Sequence, residues 1–232
     1  MNTGSGYALQ DFIPFTADIY FRLLERLGET FWPLHVLTLA LGVATVLLAL
    51  RSRTRLACLL IAPVWAFVGF AFFIERYAEL NWAGGYMGYL FYGQAILLSL
   101  ITLAGLGLDY GSRKRPSTVI GAAIALTGLI GLPFLAPLTA GSWFQAEVFG
   151  IHPDPTAMMT LGLAVIMLRG WVLWLVAIIP AMWLLISGLT LLVLDAPGAV
   201  VLFSVLALGL IGLVWKSLER CLVSIPDTDE KA

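Results

Sequence analysis

Between Phe31 and Trp215 the chain is a succession of seven apolar stretches with little but short turns between them. A helix needs about 20 apolar residues, at about 1.5 Å each, to cross the roughly 30 Å hydrocarbon core of a bilayer. The stretches lie at 31–50, 56–74, 86–108, 117–138, 155–168, 171–194 and 198–215. With 60% of its residues hydrophobic and 12% charged, the chain has too much apolar surface for a water-soluble fold, in which roughly 25% of residues are charged. The expected fold is an all-α membrane protein with seven transmembrane helices. The fifth stretch is short: its 14 residues reach only about 21 Å. It is either a tight half of a helical hairpin or a re-entrant piece.

Charge decides between these options, because Lys and Arg accumulate in short cytoplasmic loops. With seven spans and the N-terminus outside, ten of the 13 basic residues fall inside, from the Arg51–Arg55 turn, 113–115 and Arg169 to Lys216, Arg220 and Lys231. Only Arg22, Arg26 and Arg76 remain outside, alongside nine of the 14 acids. A re-entrant fifth stretch would move Arg169, Lys216 and Arg220 outward and erase most of the bias. The reading is therefore seven spans with the C-terminus in the cytoplasm. A formal net charge of −1 and the lack of a basic stripe make nucleic acid an unsuitable partner,. The lipid bilayer is the expected partner, and a homo-oligomer or a membrane partner is compatible with it. Cys58 and Cys221 fall on the cytoplasmic side, where thiols stay reduced,. The first 30 residues show no basic n-region followed by an apolar h-region, so the spans themselves are expected to direct insertion,.

Three segments follow: an N-terminal amphipathic segment at 1–30, a single transmembrane domain at 31–215 and a cytoplasmic tail at 216–232. In the first, Phe12, Phe15, Ile19, Leu23 and Leu27 recur at three- and four-residue steps, with Asp18, Arg22, Glu25, Arg26 and Glu29 elsewhere around the wheel. Such a helix lies in the membrane interface or packs on the protein's own outer surface. Spans 1–3 and 5–7 show signs of a 3+1+3 parallel repeat. Pro63 and Trp65 in span 2 are echoed by Pro180 and Trp183 in span 6, with Gly69 and Gly188 after them.

Polar groups in a bilayer are costly, which makes them the first candidates for function. No Asp, Glu, Lys or Arg lies at mid-depth of any span, which argues against a proton relay. Gln94 is the deepest amide. With Tyr89 and Tyr92 nearby and the broken spans at Pro63 and Pro180, it marks a candidate substrate-binding patch; the alternative is an interhelical hydrogen bond. A second candidate is a polar cluster toward the outer face: His35, Glu75, Glu147, His152 and Asp154. A His/carboxylate metal site or a two-histidine haem is conceivable there, but no HxxxH or HExxH spacing supports either, and no cofactor is predicted. The loop 143–156 holds Pro153 and Pro155 around Asp154 and reads as a polar lip or as a turn with Thr156 as a helix cap. Nucleophile elbow, phosphate loop and CxxC patterns are absent, so an enzyme is not the expectation. Small pairs at four-residue steps, such as Gly121 and Ala125, permit close helix packing.

The order Pro14-Phe15-Thr16, Trp32-Pro33-x-His35, Phe149-Gly150-x-x-Pro153-x-Pro155-Thr156 and Thr160-Leu161-Gly162 resembles an uncharacterised family of bacterial integral-membrane proteins. The resemblance runs from Pro14 to about Gly212. It implies a bacterial inner-membrane location and a single domain, and brings no substrate, cofactor or catalytic residue with it. Two functional readings stand: a small-solute transporter or permease-like protein, and a non-catalytic scaffold or accessory subunit. A polar cavity reaching Gln94 would favour the first, and a solid apolar core the second.

Overall fold

The computed structural model describes residues 9–110, 115–139 and 141–223, and these residues form helices and no strands. Seven helices carry the architecture: α1 Ala17–Leu50, α2 Thr54–Leu80, α3 Gly84–Ala104, α4 Pro116–Leu138, α5 Pro153–Met167, α6 Trp171–Val193 and α7 Gly198–Val223. All except α5 are long and apolar enough to cross a membrane. α2 and α4 include π-helical segments at Gly69–Tyr77 and Thr127–Gly131. Arg113, Lys114 and Lys231, used in the charge argument, lie outside the described residues.

The amphipathic segment is the first half of α1. Phe31, at φ −108° and ψ 15°, bends the helix between the two halves. Pro33 follows, and with no N–H of its own it leaves the Glu29 carbonyl without a helical donor. The segment packs on the protein: Tyr20, Leu24, Leu27 and Gly28 are buried, and a Cβ at Gly28 would collide with the Phe144 carbonyl. Phe15 and Leu27 of the expected stripe are buried and Leu23 packs against the core, whereas Ile19 faces outward and Tyr20 and Leu24 take its place.

The bundle has two polar ends. At one, the turn after α1, the 105–110 loop and the starts of α4 and α6 meet. The Thr54 hydroxyl donates to the Asp109 carbonyl, the Arg169 N–H to the Gly107 carbonyl, and Ser117 binds Glu219. At the other, the start of α1, the 141–152 loop and the α6–α7 turn converge. We call these the Asp109 end and the Asp154 end. Exposed aromatic side chains mark both, with Trp32, Trp82, Tyr86 and Trp143 at the Asp154 end and Tyr110, Trp171 and Trp215 at the other. Such belts sit at headgroup level in membrane proteins.

α5 is the axis. Every residue from Pro153 to Met167 is buried, so its neighbours keep lipid away from it on all sides. The approach of α4 is close: a Cβ on Gly162 would strike the Gly121 carbonyl, and one on Gly121 would come within 2.5 Å of the Gly162 carbonyl. Helices in lipid gain affinity from such backbone contact, since burying more apolar surface gives them no advantage over the acyl chains. α5 runs from the Asp154 end to the Asp109 end, where Leu168 pairs with Leu108. The chain then reverses through Gly170, at φ 65° and ψ −150°, a combination open only to glycine.

Candidate functional site at the head of the buried helix

A buried 15-residue helix has both polar ends in a medium of low dielectric, so its free N–H groups and its dipole call for partners. At the C-terminal end of α5, Lys216 is 2% exposed and lies 3.5 Å from the Ile166 carbonyl. Its Nζ is 2.6 Å from Asp109 Oδ2, which Arg115 also reaches at 3.2 Å. At the N-terminal end the compensating charge is Asp154, fully buried.

Asp154 is held from three directions. Trp183 Nε1 donates to Oδ1 at 2.6 Å and Ser187 Oγ to Oδ2 at 2.7 Å. Trp183 and Ser187 are four residues apart on α6 and so share a face. The third neighbour is Glu147, whose carboxyl lies against that of Asp154. Two carboxyls this close disfavour each other's charged form. Burial first, and the Asp154 charge second, push the Glu147 carboxyl well above its ordinary range. The Tyr20 hydroxyl touches Ser187, which extends the chain of hydroxyl and carboxyl groups to α1.

The loop ahead of α5 is fixed by its own polar groups. The Val148 N–H donates to His152 Nδ1 at 3.0 Å, which leaves the ring proton on Nε2. That nitrogen points at the Leu24 carbonyl without reaching hydrogen-bond geometry. Burial, reinforced by nearby His35, lowers the His152 pKa to about 3, so the ring is neutral at ordinary pH. Thr156 is not the cap. His152 occupies that place, while the Thr156 hydroxyl accepts from the Gly150 N–H at 3.0 Å and donates to the His152 carbonyl at 2.7 Å.

A cavity of about 60 Å³ opens beside this site, between Phe21, Leu132, Gln145 and Pro197, with Glu147 on its wall. This is room for a few waters. Glu147 is half-buried through that cavity, while its Oε2 is sealed off. The Glu147 carboxyl thus has one side on the cavity and one side sealed.

Of the outer-face cluster, the structure forms two separate pairs, Glu147 with Asp154 and His35 with His152, and no group of three His, Cys, Asp or Glu side chains fit to hold a metal ion among the described residues. Glu75 stands exposed and apart. The midplane patch is dispersed: Tyr89 is 68% exposed on the outer surface, Tyr92 is half-buried, and Pro63 faces outward instead of lining a cavity. Neither this cavity nor the groove described below is lined by Gln94. Gln94 and Pro180 are buried and linked through the backbone. Pro180 has no N–H, so the Val176 carbonyl one turn earlier lacks its helical donor, and Gln94 Nε2 supplies one at 3.0 Å. Gln94→Leu, which orphans that carbonyl, is expected to lower stability by about 1–3 kcal/mol. Adding Pro180→Ala, which returns the N–H, should recover most of the loss. Thermal midpoints of the two single variants and the double variant in detergent check this; additive losses would refute it.

Sequence reading missed Trp183 and Ser187 as partners of Asp154, Tyr20 beside Ser187, and the burial of Lys216. It also set a proton relay aside, because Asp154 and Glu147 lie outside the apolar stretches as read from hydropathy. The four-residue spacing of Trp183 and Ser187 was the available signal.

A protein-family model described as a family of unknown function matches residues 17–223. No curated protein and no solved structure matches the chain.

Proposed function

Because the chain belongs to this family of unknown function, DUF6064, its activity has to be read from its own side chains, and we propose that it is a proton-linked, permease-like protein for a small solute. One observation carries this: a carboxyl pair, Glu147 beside fully buried Asp154, at the head of a lipid-shielded helix with a cavity against Glu147. A proton held between two acids is released when either neighbour changes, which is the element a coupled carrier needs. The far end of α5 is closed by ion pairs through Asp109, contacts that a conformational change could break.

In this reading the protein has seven crossings in a bacterial inner membrane, with α5 as the fifth. The Asp154 end is periplasmic and the Asp109 end cytoplasmic, in line with the charge bias. The 3+1+3 plan gains support from two parallel contacts. Trp65 of α2 donates to Thr160 at 2.8 Å and Trp183 of α6 to Asp154, so each proline-bearing helix sends an indole to α5. The accessory-subunit reading has its own support in the packing of Gln94, which fills the midplane instead of lining a path there.

Proteoliposomes enclosing a pH-sensitive dye, with potassium and valinomycin to balance charge, separate the two. Wild-type protein is expected to acidify the lumen on external addition of one member of a panel of amino acids, sugars and dicarboxylates. Asp154→Asn and Glu147→Gln, reconstituted equally, should be silent. A wild type silent across the panel would put the accessory role first.

A further inference from the structure

The three basic residues expected at the Asp154 end, Arg22, Arg26 and Arg76, line one groove of about 270 Å³. We propose that this groove binds the phosphate headgroup of one anionic phospholipid. Arg22 and Arg26 are one turn apart on α1, exposed, with no carboxylate salt bridge among the described residues. Arg76 is already fixed in place. Its Nη1 donates to the Ala71 carbonyl at 2.6 Å and its guanidinium lies 5.2 Å over the Phe31 ring. Holding one cation in position beforehand lowers the ordering cost of binding an anion. Against these three charges the groove has a single acid, Glu79, which leaves two positive charges for a ligand to meet.

The walls and the level of the groove select a lipid. Ile19 and Leu23 form an apolar side beside the guanidiniums, a pairing that fits an amphiphile and would be wasted on a free ion. The groove sits by the last residues of α2, next to exposed Trp82 and Tyr86, whose rings lie 6.1 Å apart edge to face. Aromatic side chains of this kind mark headgroup depth. Guanidinium groups bind phosphate through paired, charge-assisted hydrogen bonds.

Native mass spectrometry of the purified full chain tests the proposal, with phosphatidylglycerol or phosphatidylcholine added to the micelles. Wild type should retain one phosphatidylglycerol and no phosphatidylcholine. Arg22→Gln/Arg26→Gln, at exposed positions, should bind phosphatidylglycerol at least about tenfold more weakly with an unchanged thermal midpoint in lipid-free micelles. Inorganic phosphate should not displace the lipid at equal concentration. Equal retention by the double variant, or equal retention of the two lipids, overturns the proposal. Displacement by inorganic phosphate would make the groove an ion site and overturns the lipid assignment, and a dimer seen in place of the lipid adduct would give the groove to a second copy.

Discussion

Lys216→Met is expected to destabilise the protein by about 3 kcal/mol, toward the lower end of the range for breaking a buried ion pair. The variant takes from nearly buried Asp109 the closer of the two ion-pair partners it has among the described residues, since Arg115, with a side chain 35% exposed, is the more weakly placed. It also takes the cation away from the C-terminal carbonyls of α5, where a positive charge opposes the helix dipole. The loss should be largely recovered in Lys216→Met/Asp109→Asn, in which no buried carboxylate is left behind and Arg115, 35% exposed, can turn to solvent. Thermal midpoints in one detergent for the wild type, the single variant and the double variant read this directly. A single variant indistinguishable from wild type would show that the pair is solvated and not buried.

Gly162→Val is expected to have a larger effect, of more than about 3 kcal/mol, because overpacking against backbone cannot be relieved by a rotamer change. A Cβ there meets the Gly121 carbonyl and lies 2.6 Å from the Ala125 nitrogen, so the whole of α4 would have to move off α5. Gly93→Val is the control: nothing lies within 4 Å of its Cβ position, and only the change in helix propensity applies, a few tenths of a kcal/mol in favour of valine. Comparing the yield of monodisperse protein and the thermal midpoint for the two variants separates close packing from propensity. Equal behaviour of the two would remove the tight α4–α5 crossing.

The helices were legible to within a few residues because hydropathy in a membrane protein reports the solvent directly. The stretch read at 171–194 is α6 at Trp171–Val193, and the one read at 117–138 is α4 at Pro116–Leu138. The order of the helices around the axis was not legible, for a physical reason. In water an apolar face identifies the core, but acyl chains are as apolar as leucine, so lipid-facing Leu103 and buried Leu163 are chemically alike,. Nothing in the sequence of α5 singles it out as the centre except its glycine and its shortness. The amphipathic segment shows the related error. Counting only strong apolar residues favoured Ile19 and Leu23, while the structure buries Tyr20 and Gly28, a ring with a hydroxyl to place and a residue with no side chain. Asp154 was visible as an acid between two prolines, but its depth was not. The loop from Ala146 to His152 folds inward and takes the acid with it, a tertiary event that local sequence does not record.

The enclosure of α5 also sets the order in which the chain can be assembled. At about 22 Å for 15 residues,, and with a charge at its head, α5 is poorly suited to stand alone in lipid when it leaves the ribosome. The indole and hydroxyl that receive Asp154 come from α6, and the lysine at its other end comes from α7, both synthesised later. α1 to α4 can enter the bilayer one by one as ordinary apolar helices. α5 has to wait in a protected place, against α4 or at the insertion machinery, until the last two helices arrive and close around it. Truncation after α5 removes those partners, so biogenesis of this protein is committed only once its C-terminal third has been translated.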